Sequence, residues 1–325
     1  MGEETQMFTR LFKRPATALA LLACTALPAM AETSFTVLGS GGGPIARADR
    51  SQPANLLQVN GRNIVVDAGD GLSIRLAAKR LRMGDVDDVL LSHLHFDHVG
   101  GLLAVLGQRF QTNPAKPVKI YGPPGTKALI DGMVEGMGPA MEAAYGMEDA
   151  TIMTADELVQ VQEIRGGESF SLGDVTVTTA KNSHYSFAHG SEMDQKYESL
   201  SFRFDTPDRS IVYTGDTGWS DAVIELSQGV DLLVAELIDL PSTMDAVRRT
   251  APEHLIGEIE QHLSSHHLSP AEVGRLAAEA KAGKIVATHL SAGARITPEM
   301  TDGWAQEISA AFDGEVAIAQ DLQDY

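Results

Sequence analysis

The chain has 325 residues, of which 43% are hydrophobic and 21% are charged, and its formal net charge at pH 7 is −19. This length suits one large globular domain or two small ones, and the sequence shows neither low-complexity stretches nor a fixed repeat period. An acidic surface repels polyanions, and no basic run follows Arg14, so the charge argues against DNA or tRNA as a substrate.

The first thirty residues differ in kind from the rest of the chain. Basic residues at positions 10, 13 and 14 precede an apolar run over residues 16–29, and a small-x-small pattern ends at Ala31. This order is typical of a secretory signal peptide, and the run is too short to span a membrane. We therefore predict a signal peptide over residues 1–31, a single catalytic domain over residues 32–325, no transmembrane span and a periplasmic or secreted location.

Cys24 leaves a second processing route open. The sequence Leu21-Leu22-Ala23-Cys24 resembles a lipobox, in which case the protein would be lipid-anchored through Cys24. Cys24 is also the only cysteine of the chain. A chain cleaved after Ala31 would therefore have no disulfide and no thiolate metal ligand.

A glycine-rich loop follows the first predicted strand. Residues 35–38 form an alternating strand, and the loop over residues 39–44 contains four glycines. Such a loop can cradle phosphate, but neither a helix pattern nor G-K-[ST] follows it, which favours a tight turn with a close backbone approach. Two further strands are predicted over residues 56–59 and 64–66, joined by a turn at residues 60–61.

The next predicted strand leads into the most informative motif of the chain. Residues 89–91 form an apolar run, and three histidines and an aspartate follow with the spacing H-x-H-x-D-H. They are His93, His95, Asp97 and His98. Imidazole and carboxylate are ligands that Zn²⁺ accepts, and the C-terminal end of a strand is where open α/β proteins build their sites. Four such groups placed this closely can supply two metal ions.

Further ligand-type residues follow later predicted strands, at or just after the point where each strand ends. In chain order they are His184, Asp216, Glu236 and His289. His189 competes with His184 for its place, and His266 and His267 precede a predicted helix. The repeated arrangement of a strand followed by a ligand predicts that these side chains share one site.

Together these motifs resemble the metal motifs of the metallo-β-lactamase-fold hydrolase superfamily, over nearly all of the chain that follows the predicted signal peptide. The resemblance implies the α/β class and a four-layer αβ/βα sandwich with the metals at one edge of two sheets. It implies two Zn²⁺ ions, although a site rich in oxygen and imidazole also accepts Mn²⁺ or Fe. It leaves a homodimer open.

The same resemblance assigns the ligands. Those of one metal would be His93, His95 and His184. Those of the other would be Asp97, His98 and His289. Asp216 would bridge the two metals. Two such ions deprotonate a water near neutral pH and polarise the attacked group, so we predict a zinc-dependent hydrolase of ester bonds in which Asp97 helps to orient the attacking water.

Glu236 and His267 resemble the paired glutamate and histidine of the ribonuclease Z-like branch. In that branch the histidine protonates or stabilises the leaving oxygen and the glutamate orients the histidine. A structural role for His267 at the start of the following helix is the alternative. The adjacent His266 leaves the assignment open between the two histidines.

Asp216 guides the choice of substrate. The β-lactam hydrolases of the superfamily typically lack the bridging aspartate, whereas phosphodiesterases, ribonuclease Z-like enzymes, arylsulfatase-like enzymes and lactonases have a full dinuclear site. Because the acidic charge disfavours RNA, we predict a small-molecule substrate, namely a small phosphodiester or sulfate ester, and no nucleic-acid partner.

Three other functions stay open. The first is hydrolysis of a β-lactam or a lactone. The second is a tRNA 3′-processing-like nuclease, which the acidity disfavours. The third is a non-catalytic metal-binding scaffold, against which the intact ligand set argues.

Overall fold

The two halves of the chain build two separate β-sheets, seen in a computed structural model that describes residues 33–148, 152–185 and 187–325. The predicted signal peptide over residues 1–31 and the lipidation site at Cys24 lie outside these described residues. The division into a leader and one catalytic domain over residues 32–325 therefore stays a prediction.

The first sheet has seven strands, of which six come from the N-terminal half. These strands are β1 (Thr33–Gly39), β2 (Ala54–Val59), β3 (Arg62–Ala68), β4 (Asp88–Leu90), β5 (Val118–Gly122), β6 (Val159–Glu163) and, from the end of the chain, β14 (Gln323–Asp324). Their order is β14-β1-β2-β3-β4-β5-β6. Pairing is antiparallel from β14 to β3 and parallel from β3 to β6.

The second sheet repeats this plan with seven strands. They are β7 (Ser169–Leu172), β8 (Val175–Lys181), β9 (Leu200–Asp205), β10 (Ser210–Tyr213), β11 (Leu232–Ile238), β12 (Lys284–Ser291) and β13 (Glu315–Ile318). Their order is β13-β12-β11-β10-β9-β8-β7. Pairing is antiparallel from β7 to β10 and parallel from β10 to β13.

Helices connect the strands. They are α1 (Leu72–Ala78), α2 (Phe96–Val99), α3 (Leu102–Thr112), α4 (Thr126–Ala143), α5 (Ala155–Leu158), α6 (Glu192–Lys196), α7 (Asp221–Leu226), α8 (Leu240–Thr250), α9 (Ile256–His266), α10 (Pro270–Glu279) and α11 (Pro298–Ser309). Two short 3₁₀ helices cover Met83–Asp85 and Glu253–Leu255. Among the described residues, none of the helices is long and apolar enough to cross a membrane.

Alternation along the strands produces three apolar layers. On β3, Ile64 and Val66 pack between the sheets, whereas Val65 packs against the helices α1, α3 and α4. On β11, Val234 packs between the sheets and Leu233 packs against α10 and α11. Both faces of each sheet are therefore buried, and the predicted four-layer αβ/βα sandwich is confirmed.

Candidate metal centre

The predicted ligands lie on loops, at strand ends and on the short helix α2, at one edge of the two sheets. The H-x-H-x-D-H motif connects β4 to α2, His184 follows β8 and Asp216 follows β10. His289 lies near the end of β12 with a backbone φ of 46°, in the left-handed region that an L-residue rarely adopts. The strands of both sheets deliver these side chains to one place, and Asp97 and His289 lie close together although they are 192 residues apart in the chain.

Three histidines form the first ligand group. The Nδ1 atom of His95 lies 3.1 Å from Nε2 of His93 and 3.0 Å from Nε2 of His184. Burial lowers the pKa of all three imidazoles, and it lowers the pKa of His184 to about 3. The three rings are therefore neutral at pH 7, which is the form that binds a metal ion.

The second ligand group combines carboxylates and imidazoles. Nε2 of His289 lies 3.3 Å from Oδ2 of Asp97 and 3.1 Å from Oδ2 of Asp216. Nε2 of His98 lies 3.5 Å from Oδ2 of Asp97 and 3.3 Å from Oδ1 of Asp216. Burial alone would lower the pKa of His98 and His289, but the carboxylates around them raise both above the usual histidine value.

Asp216 lies between the two groups. Its Oδ2 atom is 4.0 Å from Nε2 of His93 and 3.9 Å from Nε2 of His184, in addition to its contacts with the second group. One carboxylate thus faces both sets of ligand atoms, which is the arrangement that a bridging ligand requires.

The donor set fits a pair of metal ions. Within each group the potential ligand atoms all lie within 4.8 Å of one another. Nε2 of His98 and Oδ1 of Asp216 are buried without a hydrogen-bond partner among the residues that the structure describes, and buried polar atoms normally have one. An ion bound between them would satisfy both atoms. Nitrogen and oxygen donors suit Zn²⁺ and other divalent transition metals.

Asp67 orients one ring of the second group, the imidazole of His98. Its Oδ2 atom accepts hydrogen bonds from Tyr213 Oη at 2.7 Å and Ser92 Oγ at 2.8 Å, and it lies 2.7 Å from Nδ1 of His98. Its Oδ1 atom accepts a hydrogen bond from the backbone N–H of Ser92 at 2.7 Å. With Nδ1 engaged, Nε2 of His98 is turned towards the site. Asp67 therefore fixes a ligand and does not cap α1, whose N-cap is Gly71 without a side-chain hydrogen bond.

The glycine-rich loop after β1 lies directly against the ligands. The backbone N–H of Gly43 donates a hydrogen bond to Oδ2 of Asp97 at 3.0 Å. A Cβ atom on Gly43 would fall 2.2 Å from that oxygen, and one on Gly42 would fall 2.1 Å from Oγ of Ser291. Close backbone approach thus explains the glycines.

Glu236 and His267 form a buried pair beside the second group. Nδ1 of His267 lies 3.1 Å and 3.2 Å from the two carboxylate oxygens of Glu236. The backbone N–H groups of Thr217 and Leu268 donate to Oε1 of Glu236 at 3.2 Å and 3.1 Å. Burial would lower the pKa of His267, but the Glu236 carboxylate raises it to about 9. A protonated histidine held this way can donate a proton.

The structure distinguishes His267 from His266 and His189, whose roles the sequence left open. The ring of His267 stacks on His289 with 6.1 Å between centroids and lies 4.9 Å from His184. His266 instead bonds through Nδ1 to the carbonyl of Ser183, and its own carbonyl lies 3.1 Å from Nδ1 of His184. His189 is exposed and contacts none of the ligands that the structure describes.

Sequence reasoning missed three residues of the site. Tyr213 and Ser92 hold Asp67, and both are ordinary strand-end residues in the sequence. Tyr185 packs its ring 5.4 Å from that of His95, and its Oη accepts a hydrogen bond from the backbone N–H of Leu94. Only their adjacency to predicted ligands could have indicated these roles.

The fold and this pair of ligand groups define a class of two-metal hydrolases, and the family comparison agrees. The model of the Beta-lactamase superfamily domain matches residues 62–290, which is more than half of the chain. The chain belongs to this superfamily. It is a metal-dependent hydrolase acting on ester bonds, as predicted, and the superfamily membership supports a dinuclear metal site.

The relatives point to one branch of the superfamily. Ribonuclease Z of Mycobacterium sp. (strain KMS) is 29% identical over 289 residues, covering 88% of this chain and 93% of the relative. The metallo-β-lactamase fold protein YhfI of Bacillus subtilis aligns with a TM-score of 0.64 at 22% identity, over 90% of this chain and 99% of that one. Human tRNase Z, short form, aligns with a TM-score of 0.59 at 21% identity, over 90% and 98%. The two structural likenesses show the shared fold.

These comparisons correct the predicted substrate. A hydrolase of small phosphodiester or sulfate esters, with no nucleic-acid partner, was the wrong choice, because the sequence relatives are named ribonuclease Z. The prediction failed because an acidic surface weakens the long-range attraction of phosphates but does not exclude contacts of another kind with an RNA substrate.

The predicted periplasmic or secreted location is wrong on the same comparison, and so is the lipid-anchored alternative. Both relied on the composition of the first 31 residues, which lie outside the described part of the chain. The relatives that align with the remainder carry the name of an RNA enzyme and give no support for export.

Proposed function

We propose that this chain is a two-metal ribonuclease that hydrolyses a phosphodiester bond in RNA, with a precursor tRNA as its first substrate to test. The observation that carries the proposal is the position of Asp216 between two complete ligand groups, with the Glu236–His267 pair beside them. Sequence relatives named ribonuclease Z support RNA as the substrate class.

In this proposal His93, His95 and His184 hold one ion and Asp97, His98 and His289 hold the other, with Asp216 shared. Zinc is the ion of choice, because neutral imidazole and carboxylate are its usual ligands. Mn²⁺ and Fe²⁺ stay alternatives, since both accept oxygen and imidazole. Bound ions would supply a water of lowered pKa and would neutralise negative charge on the attacked phosphoryl group.

The protein's own groups then control position and proton transfer. The hydrogen bond from the Gly43 N–H holds the Asp97 carboxylate, so that its second oxygen can orient the attacking water. His267 carries the proton for the leaving oxygen, and Glu236 keeps the imidazole charged and correctly turned. The leaving oxygen of RNA is a poor leaving group, so protonation of that oxygen by His267 should increase the rate of cleavage.

The test is cleavage of a precursor tRNA that carries a 3′ trailer by the purified, zinc-loaded protein. The cut site is mapped from the new ends of the two RNA fragments. We expect one endonucleolytic cut with hydrolysis of a single phosphodiester bond. The variant His267→Ala should slow this cleavage by about 10²–10³-fold. It should slow hydrolysis of bis-p-nitrophenyl phosphate much less, because p-nitrophenolate leaves without a proton.

The matched control is His254→Ala, which removes an imidazole from the 3₁₀ helix that precedes α9 and lies in none of the ligand groups. A zinc-loaded protein that leaves RNA intact but turns over p-nitrophenyl sulfate or a chromogenic cephalosporin would disprove the proposal. Equal losses on RNA and on the p-nitrophenyl ester in His267→Ala would remove His267 as the proton donor.

A further inference from the structure

Phe96 is an unusual neighbour for two metal ligands. It lies between His95 and Asp97, and its side chain is 80% exposed, whereas the Asp97 side chain is buried. Its backbone is fixed, because it opens α2 and its carbonyl accepts a hydrogen bond from the N–H of Gly100 at 2.7 Å. An aromatic ring is thus presented to solvent by the same short helix that carries the candidate ligands Asp97 and His98.

Ile45 is a second exposed apolar residue close to Asp97 in the structure, and its side chain is 79% exposed. It follows the loop whose Gly43 donates to Asp97, and a Cβ on Gly43 would lie 2.4 Å from Cβ of Asp97. Phe96 and Ile45 are the two most exposed of the large apolar side chains in the described part of the chain. Single exposed apolar residues need no explanation, but here the two most exposed side chains, Phe96 and Ile45, belong to the two segments that meet at Asp97.

The charge of the molecule indicates what such a surface binds. With a net charge of −19, long-range attraction of phosphates is weak, so an RNA substrate needs binding energy that does not come from phosphate contacts. Stacking of bases on aromatic side chains is such a source, and it works for any unpaired base.

We infer that Phe96 and Ile45 form a base platform, defined as these two side chains, on which the unpaired nucleobase next to the scissile phosphodiester stacks. This inference rests on the proposed ribonuclease function and names how that substrate is recognised. The platform lowers KM, because it binds a base that does not take part in the reaction. It includes none of the candidate metal ligands.

Two chromogenic diesters test the platform in the zinc-loaded enzyme. Thymidine 5′-(p-nitrophenyl phosphate) carries a base, and methyl p-nitrophenyl phosphate does not, while the leaving group is the same. Phe96→Ala should raise KM for the thymidine ester about tenfold with kcat within about twofold, in keeping with the loss of one stacked base. It should leave KM for the methyl ester unchanged, and Phe96→Trp should restore the wild-type KM for the thymidine ester.

Ile74→Ala is the matched control, because Ile74 is 72% exposed on α1, which provides none of the candidate ligands. Quenching of 2-aminopurine riboside 5′-monophosphate on binding gives a second readout that needs no turnover and no RNA cleavage. Loss of this quenching in Phe96→Ala supports the platform even if precursor tRNA is not a substrate. Equal KM changes for both esters, or unchanged quenching, overturns it.

Discussion

At the scale of single residues, the proposed two-metal site depends on Asp216. Its carboxylate contacts Nε2 of His98 and His289 within 3.3 Å and faces the first histidine group at about 4 Å. No other carboxylate among the described residues belongs to the second ligand group and also faces the first.

Asp216→Ala should therefore lower the metal content from two ions towards one and reduce cleavage by at least about 100-fold. Metal analysis after dialysis against a weak chelator measures the first effect. Asp131→Ala, which removes an exposed carboxylate paired with Lys127 on α4, is the control and should change neither value. Two tightly held ions in Asp216→Ala would show that Asp216 is no bridge.

His267 gives a prediction about protonation. In the metal-free protein its pKa lies near 9, because Glu236 outweighs the effect of burial. A pKa raised above the usual 6.5 means that the charged pair stabilises the fold fully below pH 6.5 and that this contribution is lost as the pH rises through 9. Histidine NMR should show titration near pH 9, and Glu236→Gln should move it below 6.5. Titration below 6.5 in the unaltered protein would contradict the pairing.

At the scale of secondary-structure elements, the strand ends carry the site and the turns between elements decide its shape. The pattern after the H-x-H-x-D-H motif predicts a single helix that starts at residue 99, but the structure has α2, a break at Gly100-Gly101, and then α3. A Cβ on Gly101 would fall 2.4 Å from the carbonyl of Gly69, so a contact with a distant loop determines this break. Such a contact cannot be seen in a local pattern.

Other elements show the same limit. The sequence over residues 242–265 has a helical pattern that predicts one helical region, but the structure has two helices there, α8 and α9. The division occurs because Pro252 follows the end of α8 and lacks the backbone N–H that a continuing helix needs. The strand β14 has only two residues, and it pairs with β1 at the far end of the chain. By contrast, Ser269 caps α10 and Pro270 is its first residue, where the sequence predicts a helix to begin. A helix cap can be predicted because it depends on neighbouring residues only.

The end of β10 supports the end of β3 through one hydrogen bond, from Tyr213 to Asp67. Tyr213→Phe removes the donor and should weaken the hold of Asp67 on His98, with an affinity for the second metal ion about tenfold lower. Competition with a chromophoric chelator measures this. Tyr121→Phe is the control, because that ring packs on Phe170 and contacts no described ligand. Equal affinities in both variants would mean that Asp67 needs no help from Tyr213.

At the scale of the whole molecule, the clustering of the candidate ligands could be predicted and the substrate could not. His93 and His184 follow β4 and β8, and His289 lies near the end of β12. Strands that run in the same direction end at the same edge of a sheet, so local patterns were sufficient. The substrate depends on the surface around the site, and composition does not report how charge and exposed groups such as Phe96 are distributed there.

The overall acidity has a measurable consequence for RNA binding. If stacking provides most of the affinity, few counterions are released, and the slope of log K against log salt concentration should be no steeper than about −2. Fluorescence anisotropy of a labelled single-stranded RNA between 50 and 200 mM KCl, roughly the physiological range, measures it. A slope steeper than about −5 would show that a local basic surface binds the phosphates and that stacking does not provide most of the affinity.

Hydrolysis of RNA with two metal ions shared across Asp216 requires both ions to be bound. The most direct measurement is the rate of precursor tRNA cleavage as Zn²⁺ is added to the metal-free protein in measured equivalents. We expect almost no cleavage at one equivalent and a plateau at two equivalents. A plateau at one equivalent, or full cleavage without added metal, would contradict it.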